Sequence, residues 1–313
     1  GIHVSAIGLG MAAIGRPGYI NIGHGRDLDG RSSPADLERH AGALLDAARG
    51  AGITYFDAAR SYGRAEEFLA KWLESRSPSP SEAIVGSKWG YVYTAGWKVD
   101  ADVHEVKTHT RENLDRQYAE SMALLETWLR LYHIHSATLE SGVLESYAVV
   151  SRLAELRERG LVVGLSTSGP HQAETIRRAL AIEVAGVPLF GAVQATWNLL
   201  EPSAGPALIE AADAGLGVVV KEAVANGRLT SRNSDLAERV AGLVPEWPLD
   251  AIAIAACLNQ PWVSVVLSGA ATMGQLESNL AALSVPRDLL AGIPDLAEDA
   301  ERYWEIRSGL SWG

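Results

Sequence analysis

Short runs rich in valine, isoleucine and leucine punctuate this chain, and between them lie longer stretches whose apolar positions recur about every three to four residues. The short runs read as strands at 5–11, 53–59, 83–89, 129–136, 161–168, 191–198, 215–223 and 262–270. Among the longer stretches, "SPADLERHAGALLDAARGAG" has a Ser-Pro start and a glycine stop, and "ESYAVVSRLAELRERG" ends on basic residues and glycine, the punctuation of helices. Strand and helix in alternation predict parallel strands joined by helical crossovers. Eight such units predict a closed (β/α)8 barrel, an α/β fold in which 1–313 is a single domain, and no Pro/Ser-rich linker divides it. The rival is an open doubly wound sheet. It calls for G-x-G-x-x-G after an early strand, and Gly8, Gly10 and Gly15 have the wrong spacing. Segment 15–34 reads as a long irregular loop, a candidate lid carrying Tyr19, Asn21 and His24, and the tail 296–313 is expected to border the substrate pocket.

In such a barrel the C-terminal strand ends converge on one mouth. Read in order they carry Asp57, Lys88, His135, the Ser166–Ser168 run, Gln194 with Asn198, Lys221 with Glu222, and Ser268. All are polar, on strands otherwise built from Val, Ile, Leu and Ala. Each has a bland alternative: Asp57 as a helix N-cap, Tyr62 as a half-buried aromatic, His135 as a core histidine bonded to a carbonyl. Lys88 is harder to explain so, because a lysine in an interior strand needs a counter-charge, and Asp57 on the adjacent strand would supply one. A tyrosine hydroxyl, with its free pKa of about 10, needs a nearby cation to release its proton near neutrality. Lys88 could be that cation, held by Asp57, while His135 donates a hydrogen bond to a substrate oxygen or relays a proton. The set suits an acid catalyst for a carbonyl that gains negative charge on oxygen.

The ordered series "VSAIGLG", "FDAARSYG", "SKWG", "LYHIHS", "GLSTSG", "VQATWN" and "SGAATMGQLESNLAAL" resembles the aldo-keto reductases along nearly the whole chain. The resemblance implies a barrel binding NADPH, less often NADH, without a Rossmann domain, and a catalytic tetrad of Asp57, Tyr62, Lys88 and His135. It places Ser166, Thr167 and Gln194 at the nicotinamide carboxamide, with Thr167 where the family has Asn. It puts Ser268 and Gly269 at the pyrophosphate, Gln275 and Asn279 at the adenine, and a phosphate near the helix start at Thr272. Lys221 and Glu222 stand where the family has a stacking aromatic and a serine. Ala271 and Thr272 stand where a basic residue often meets the 2′-phosphate of NADPH, leaving Arg228 or Arg232 to compensate. NADPH is then the expected cofactor, with NADH as the alternative.

Composition narrows the partners. Twenty-seven Lys and Arg against 38 Asp and Glu give a net charge of −11 with no run of five like charges, which argues against nucleic acid. No apolar stretch approaches the ~18 residues of a membrane helix. The single cysteine, Cys257, reads as a small core residue, and the glycine-rich start lacks a basic region, so a cytoplasmic protein is expected. No metal site is expected. The aromatics Tyr19, Trp89, Tyr91 and Trp197 are candidates for a pocket that takes a bulky, flat or apolar carbonyl compound. The expected function is reversible NAD(P)H-dependent reduction of an aldehyde or ketone with Tyr62 as proton donor. A Schiff-base lyase using Lys221 and a non-catalytic nucleotide-binding barrel are the alternatives.

Overall fold

A computed structural model describes residues 2–241 and 246–313. Eight parallel strands close a barrel: β1 (Ile7–Gly10), β2 (Tyr55–Asp57), β3 (Ile84–Trp89), β4 (Leu129–Ala137), β5 (Val162–Thr167), β6 (Ala192–Thr196), β7 (Gly217–Lys221) and β8 (Val265–Ser268). They are hydrogen-bonded in chain order, and β8 returns to β1 with Ile7 opposite Val266. Each falls inside one of the eight apolar runs, save that β4 extends one residue past its run. Helices cover the outside. The first long one, Pro34–Gly50, starts as its sequence announces, with Ser33 capping the Asp36 amide and proline in the first turn. Segment 15–34 is less irregular than expected, since it folds a turn of helix at His24–Asp27. Among the described residues no helix is long and apolar enough to cross a membrane.

Strand alternation sorts the side chains into two cores. Outward residues such as Phe56, Val85 and Ile134 pack beneath the helices in the main apolar cluster. Inward residues Tyr55, Ile84, Leu131, Ala192, Val219, Val265 and Leu267 fill the barrel. Tyr55 needs the most room, and two neighbouring strands make it with glycine. A Cβ at Gly8 would lie 2.8 Å from the Tyr55 ring, and one at Gly86 would land on its hydroxyl oxygen. Stacked on this plug, the next inward residues toward the mouth are Asp57, Lys88, His133 and His135. The (β/α)8 prediction therefore holds, and with it the placement of the polar strand ends above a filled interior.

Gly86→Ala should lower the urea unfolding free energy by about 1–3 kcal/mol, the usual cost of overpacking. Adding Tyr55→Phe removes the nearest of the Tyr55 atoms that the new methyl meets, so the double variant should lose less than the sum of the two single variants. Strictly additive effects would contradict the close approach.

Candidate active site

Asp57 and Lys88 form the floor of the mouth. Both are buried, and Lys88 Nζ lies 2.5 Å from Asp57 Oδ1 and donates a second bond to the Ala58 carbonyl at 2.9 Å. The other carboxylate oxygen accepts from Gln194 Nε2 at 2.8 Å, with the Tyr55 hydroxyl at 3.5 Å. So supplied, a buried ion pair is tolerable, because its remaining lone pairs and protons have partners.

Tyr62 stands on the loop after β2. Its ring centroid is 4.9 Å from Lys88 Nζ, 5.6 Å from the Arg16 guanidinium and 5.4 Å from the His135 ring, edge to face. The loop after β1 grips this one closely. A Cβ at Gly15 would lie 2.5 Å from Ala65 Cβ, and one at Gly63, whose φ of 62° itself favours glycine, would lie 2.6 Å from the Gly15 carbonyl oxygen. Burial, and next the Asp57 carboxylate, push the Tyr62 hydroxyl well above its ordinary range, while Arg16 pulls the other way. Tyr62 therefore holds its proton at neutral pH, as an acid must. His135 is held well below its usual range, first by burial and then by Lys88, so its ring is neutral. Its Nδ1 is 3.3 Å from Ser61 Oγ; a hydroxyl donating there leaves the hydrogen on Nε2. Burial likewise holds His133 down, to about 3, and neither ring nitrogen has a partner.

Asp57, Tyr62, His135 and Gln194 line a cavity of about 300 Å³ bounded also by Arg16, Tyr19, Tyr91, Glu105 and Trp312. Lys221 and Glu222 form one wall. Lys221 Nζ bonds Thr196 Oγ1 at 2.7 Å, and Glu222 is clamped by both Nε and Nη2 of Arg307. Burial would raise the Glu222 carboxyl, but Arg307 and Lys221 outweigh it and hold it down to about 2. Burial lowers Lys221 to about 8 against the pull of Glu222. Glu222 also takes a φ of 56°, and Ser136 and Asn226 at the same mouth take 50° and 54°. Non-glycine residues in this region signal local strain of the kind that gathers at functional sites.

A second cavity, toward the helix Met273–Leu280, shares Asn21, Val224 and Gly269 with the first, so the two form one groove. The groove fits an extended dinucleotide. Its lining offers amides, hydroxyls and a helix start capped by Thr272, and the Asn226 Oδ1 along it is buried without a partner.

A profile of the Aldo/keto reductase family matches residues 6–288. The chain belongs to that family. An uncharacterized oxidoreductase of Bacillus subtilis, YqkF, is 24% identical over 276 residues, 78% of this chain and 82% of that protein. The aldo-keto reductase str7 of Strobilurus tenacellus is 29% identical over 184 residues, 57% of this chain; the match spans only 46% of that protein. Among solved structures, the holo form of aldo-keto reductase AKR11C1 from Bacillus halodurans superposes with a TM-score of 0.71 at 21% identity, covering 96% of this chain and 95% of the other. The glycerol dehydrogenase AKR11B4 of Gluconobacter oxydans gives 0.70 at 21%, covering 94% and 91%. At such identities these two likenesses concern the fold. As an aldo-keto reductase the chain is an oxidoreductase of small carbonyl compounds, and the family generally binds nicotinamide cofactors.

Against that family the expected residues divide. Tyr62, Asp57, His135, Gln194, Lys221, Glu222, Ser268, Gly269, Tyr19 and Tyr91 line the first cavity, and Thr272, Gln275 and Asn279 the second. Lys88 lies just beneath the first. Ser166 lines neither; its hydroxyl accepts from the Ser136 amide at 2.8 Å, and Ser168 faces the cavity instead. Thr167 is turned away to Gln172 Oε1 at 3.2 Å. Arg228 grips Glu298 through both Nη atoms and faces neither cavity. Trp89 and Trp197 are corrected to core residues. Trp89 is buried against His109, and Trp197 packs on Trp262 beneath the helix Gly205–Asp213. Four residues went unforeseen: Arg16, Glu105, Asn226 and Arg307. Arg307 had a signal, because a carboxylate at a buried strand end, Glu222, calls for a counter-ion. Arg16 had none, since an arginine after a glycine reads as surface.

Lys221 takes up a proton at higher pH unfolded, near 10.5, than folded, near 8, so the unfolded chain binds more protons between those values. Stability should therefore rise with pH across that window by on the order of 1–3 kcal/mol. Chemical denaturation at several pH values should show this component in the wild type and not in Lys221→Met.

Proposed function

We propose that this chain reduces an aldehyde or ketone with a nicotinamide dinucleotide, reversibly, in the cavity above Asp57 and Lys88. The observation that carries this reading is the meeting of a proton-holding tyrosine, a neutral histidine and a buried Lys-Asp pair at one cavity floor. When bound, the dinucleotide supplies the hydride that the carbonyl carbon accepts. As the carbon–oxygen π pair moves onto oxygen, Tyr62 gives its proton there, and the His135 Nε2 hydrogen directs that oxygen toward Tyr62. The phenolate left on Tyr62 is met by Lys88 and Arg16. Asp57 keeps Lys88 oriented, and Gln194 spans Asp57 and the cavity, where its remaining amide capacity suits a carboxamide. Ser268, Gly269 and the helix capped by Thr272 would hold the phosphates, and Gln275 and Asn279 the adenosine end.

A different wall replaces ring stacking. With Lys221 and Glu222 at that position, a bound ring meets a charged, hydrogen-bonded surface whose outer side is Trp304, 5.7 Å from Lys221 Nζ. The pocket's aromatics are mostly phenols, Tyr19, Tyr62 and Tyr91, with one indole, Trp312. Among the bulky, flat or apolar carbonyl compounds expected from the sequence, this favours those that also carry hydrogen-bonding groups. Segment 15–34 and the tail meet there: the Tyr19 and Gly313 backbones exchange hydrogen bonds at 3.2 Å, closing one side of the mouth.

The Schiff-base reading draws on the lowered Lys221 amine, but Thr196 and Glu222 engage it as an ammonium. In a panel of carbonyl compounds, Tyr62→Phe should lower kcat by roughly 10²–10⁴-fold while dinucleotide binding, followed by tryptophan quenching, stays within about threefold. Full turnover in Tyr62→Phe, or covalent labelling of Lys221 by substrate and borohydride, would overturn the proposal.

A further inference from the structure

The far end of the groove carries a charge pattern of its own. The ionisable side chains lining the second cavity, among those described, are two carboxylates, Asp27 and Asp250, and one guanidinium, Arg232. Arg232 is already spent: Nη2 donates to Asp27 Oδ1 and Nη1 to the Ile22 carbonyl. Asp250 is 9% exposed and fixed from behind, its Oδ2 accepting from Asn279 Nδ2 at 2.7 Å while Asn279 Oδ1 accepts from Ser268 at 2.7 Å. The remaining lining carries no charge, its polar side chains including Thr230, Ser231, Thr272, Gln275 and Ser278. The cavity is thus net negative and holds no uncommitted described cation.

Two ligands that differ by one group would meet this surface very differently. A ribose 2′-phosphate brings close to two negative charges and three acceptor oxygens, with no proton to offer a carboxylate. Near Asp27 and Asp250 it would be repelled by their carboxylates. A ribose 2′-hydroxyl can donate to a carboxylate, the device by which acidic side chains select unphosphorylated dinucleotides in other nucleotide folds. Resting on the functional reading above, we infer that this cavity selects NADH over NADPH, with Asp27 and Asp250 as the discriminating residues and the Asp27–Arg232 pair as the lock.

The test is equilibrium binding, read by tryptophan quenching, of NADH and NADPH to the wild type, Asp27→Asn and Ser231→Lys. The wild type should bind NADH at least tenfold more tightly. Asp27→Asn removes one carboxylate and releases Arg232, so it should strengthen NADPH binding at least fivefold with little gain for NADH. Ser231 is exposed on the cavity rim, so Ser231→Lys adds a cation without disturbing the packing and should narrow the preference in the same direction. Equal or tighter NADPH binding by the wild type would overturn the inference while leaving the reductase reading intact. So would variants that move both dinucleotides by the same factor. If neither dinucleotide bound, the functional reading would fall, and this inference with it.

Discussion

The buried ion pair of Asp57 and Lys88 is the constraint around which the mouth is arranged. Two charges taken out of water are costly, and their attraction offsets that cost only when every other lone pair and proton is served. The barrel serves them from four directions: Gln194 from β6, Tyr55 from below, the Ala58 carbonyl, and the direct contact between neighbouring strands. Serving them fixes other choices. Tyr55 must rise through the barrel centre, so Gly8 and Gly86 must lack side chains. Tyr62, on the loop just beyond Asp57, is then held with its ring centroid 4.9 Å from Lys88 Nζ.

Above the floor, the mouth is tuned by paired charges. Arg16 donates to Glu105 Oε2 at 3.0 Å and to the Ser61 carbonyl at 2.9 Å, which steadies the residue next to Tyr62. Its guanidinium also lies over the Tyr19 and Trp312 rings, at 5.4 and 4.6 Å. Glu222 sits between Arg307 and Lys221. Neutralised locally, these groups polarise the cavity without leaving a large net field. That balance favours a reaction in which charge appears on one oxygen and is quenched there.

How much of this was legible in the sequence follows from where each residue's environment comes from. Strand positions are dictated locally, so the eight apolar runs coincide with the eight barrel strands. Their polar ends point to the mouth by alternation alone, which is why Asp57, Lys88, His135 and Gln194 came together as expected. Orientation one step further along was not legible. Whether Ser166 or Ser168 faces the cavity depends on how β5 ends, and Thr167 is drawn aside by Gln172 on the following helix. Trp89 and Trp197 were misplaced because an aromatic at a strand end serves the outer core as readily as the pocket. Arg16 and Arg307 needed tertiary contacts with Glu105 and Glu222 that no local pattern encodes.

The central claim is that a hydride crosses this mouth to a carbonyl carbon. The most direct measurement is single-turnover reaction of the purified chain with a panel of aldehydes and ketones and dinucleotide deuterated at the transferring face of C4, with mass analysis of the alcohols. The account predicts one deuterium, on the carbinol carbon, for at least one substrate. Absence of labelled alcohol across the panel, despite saturable dinucleotide binding, would contradict it.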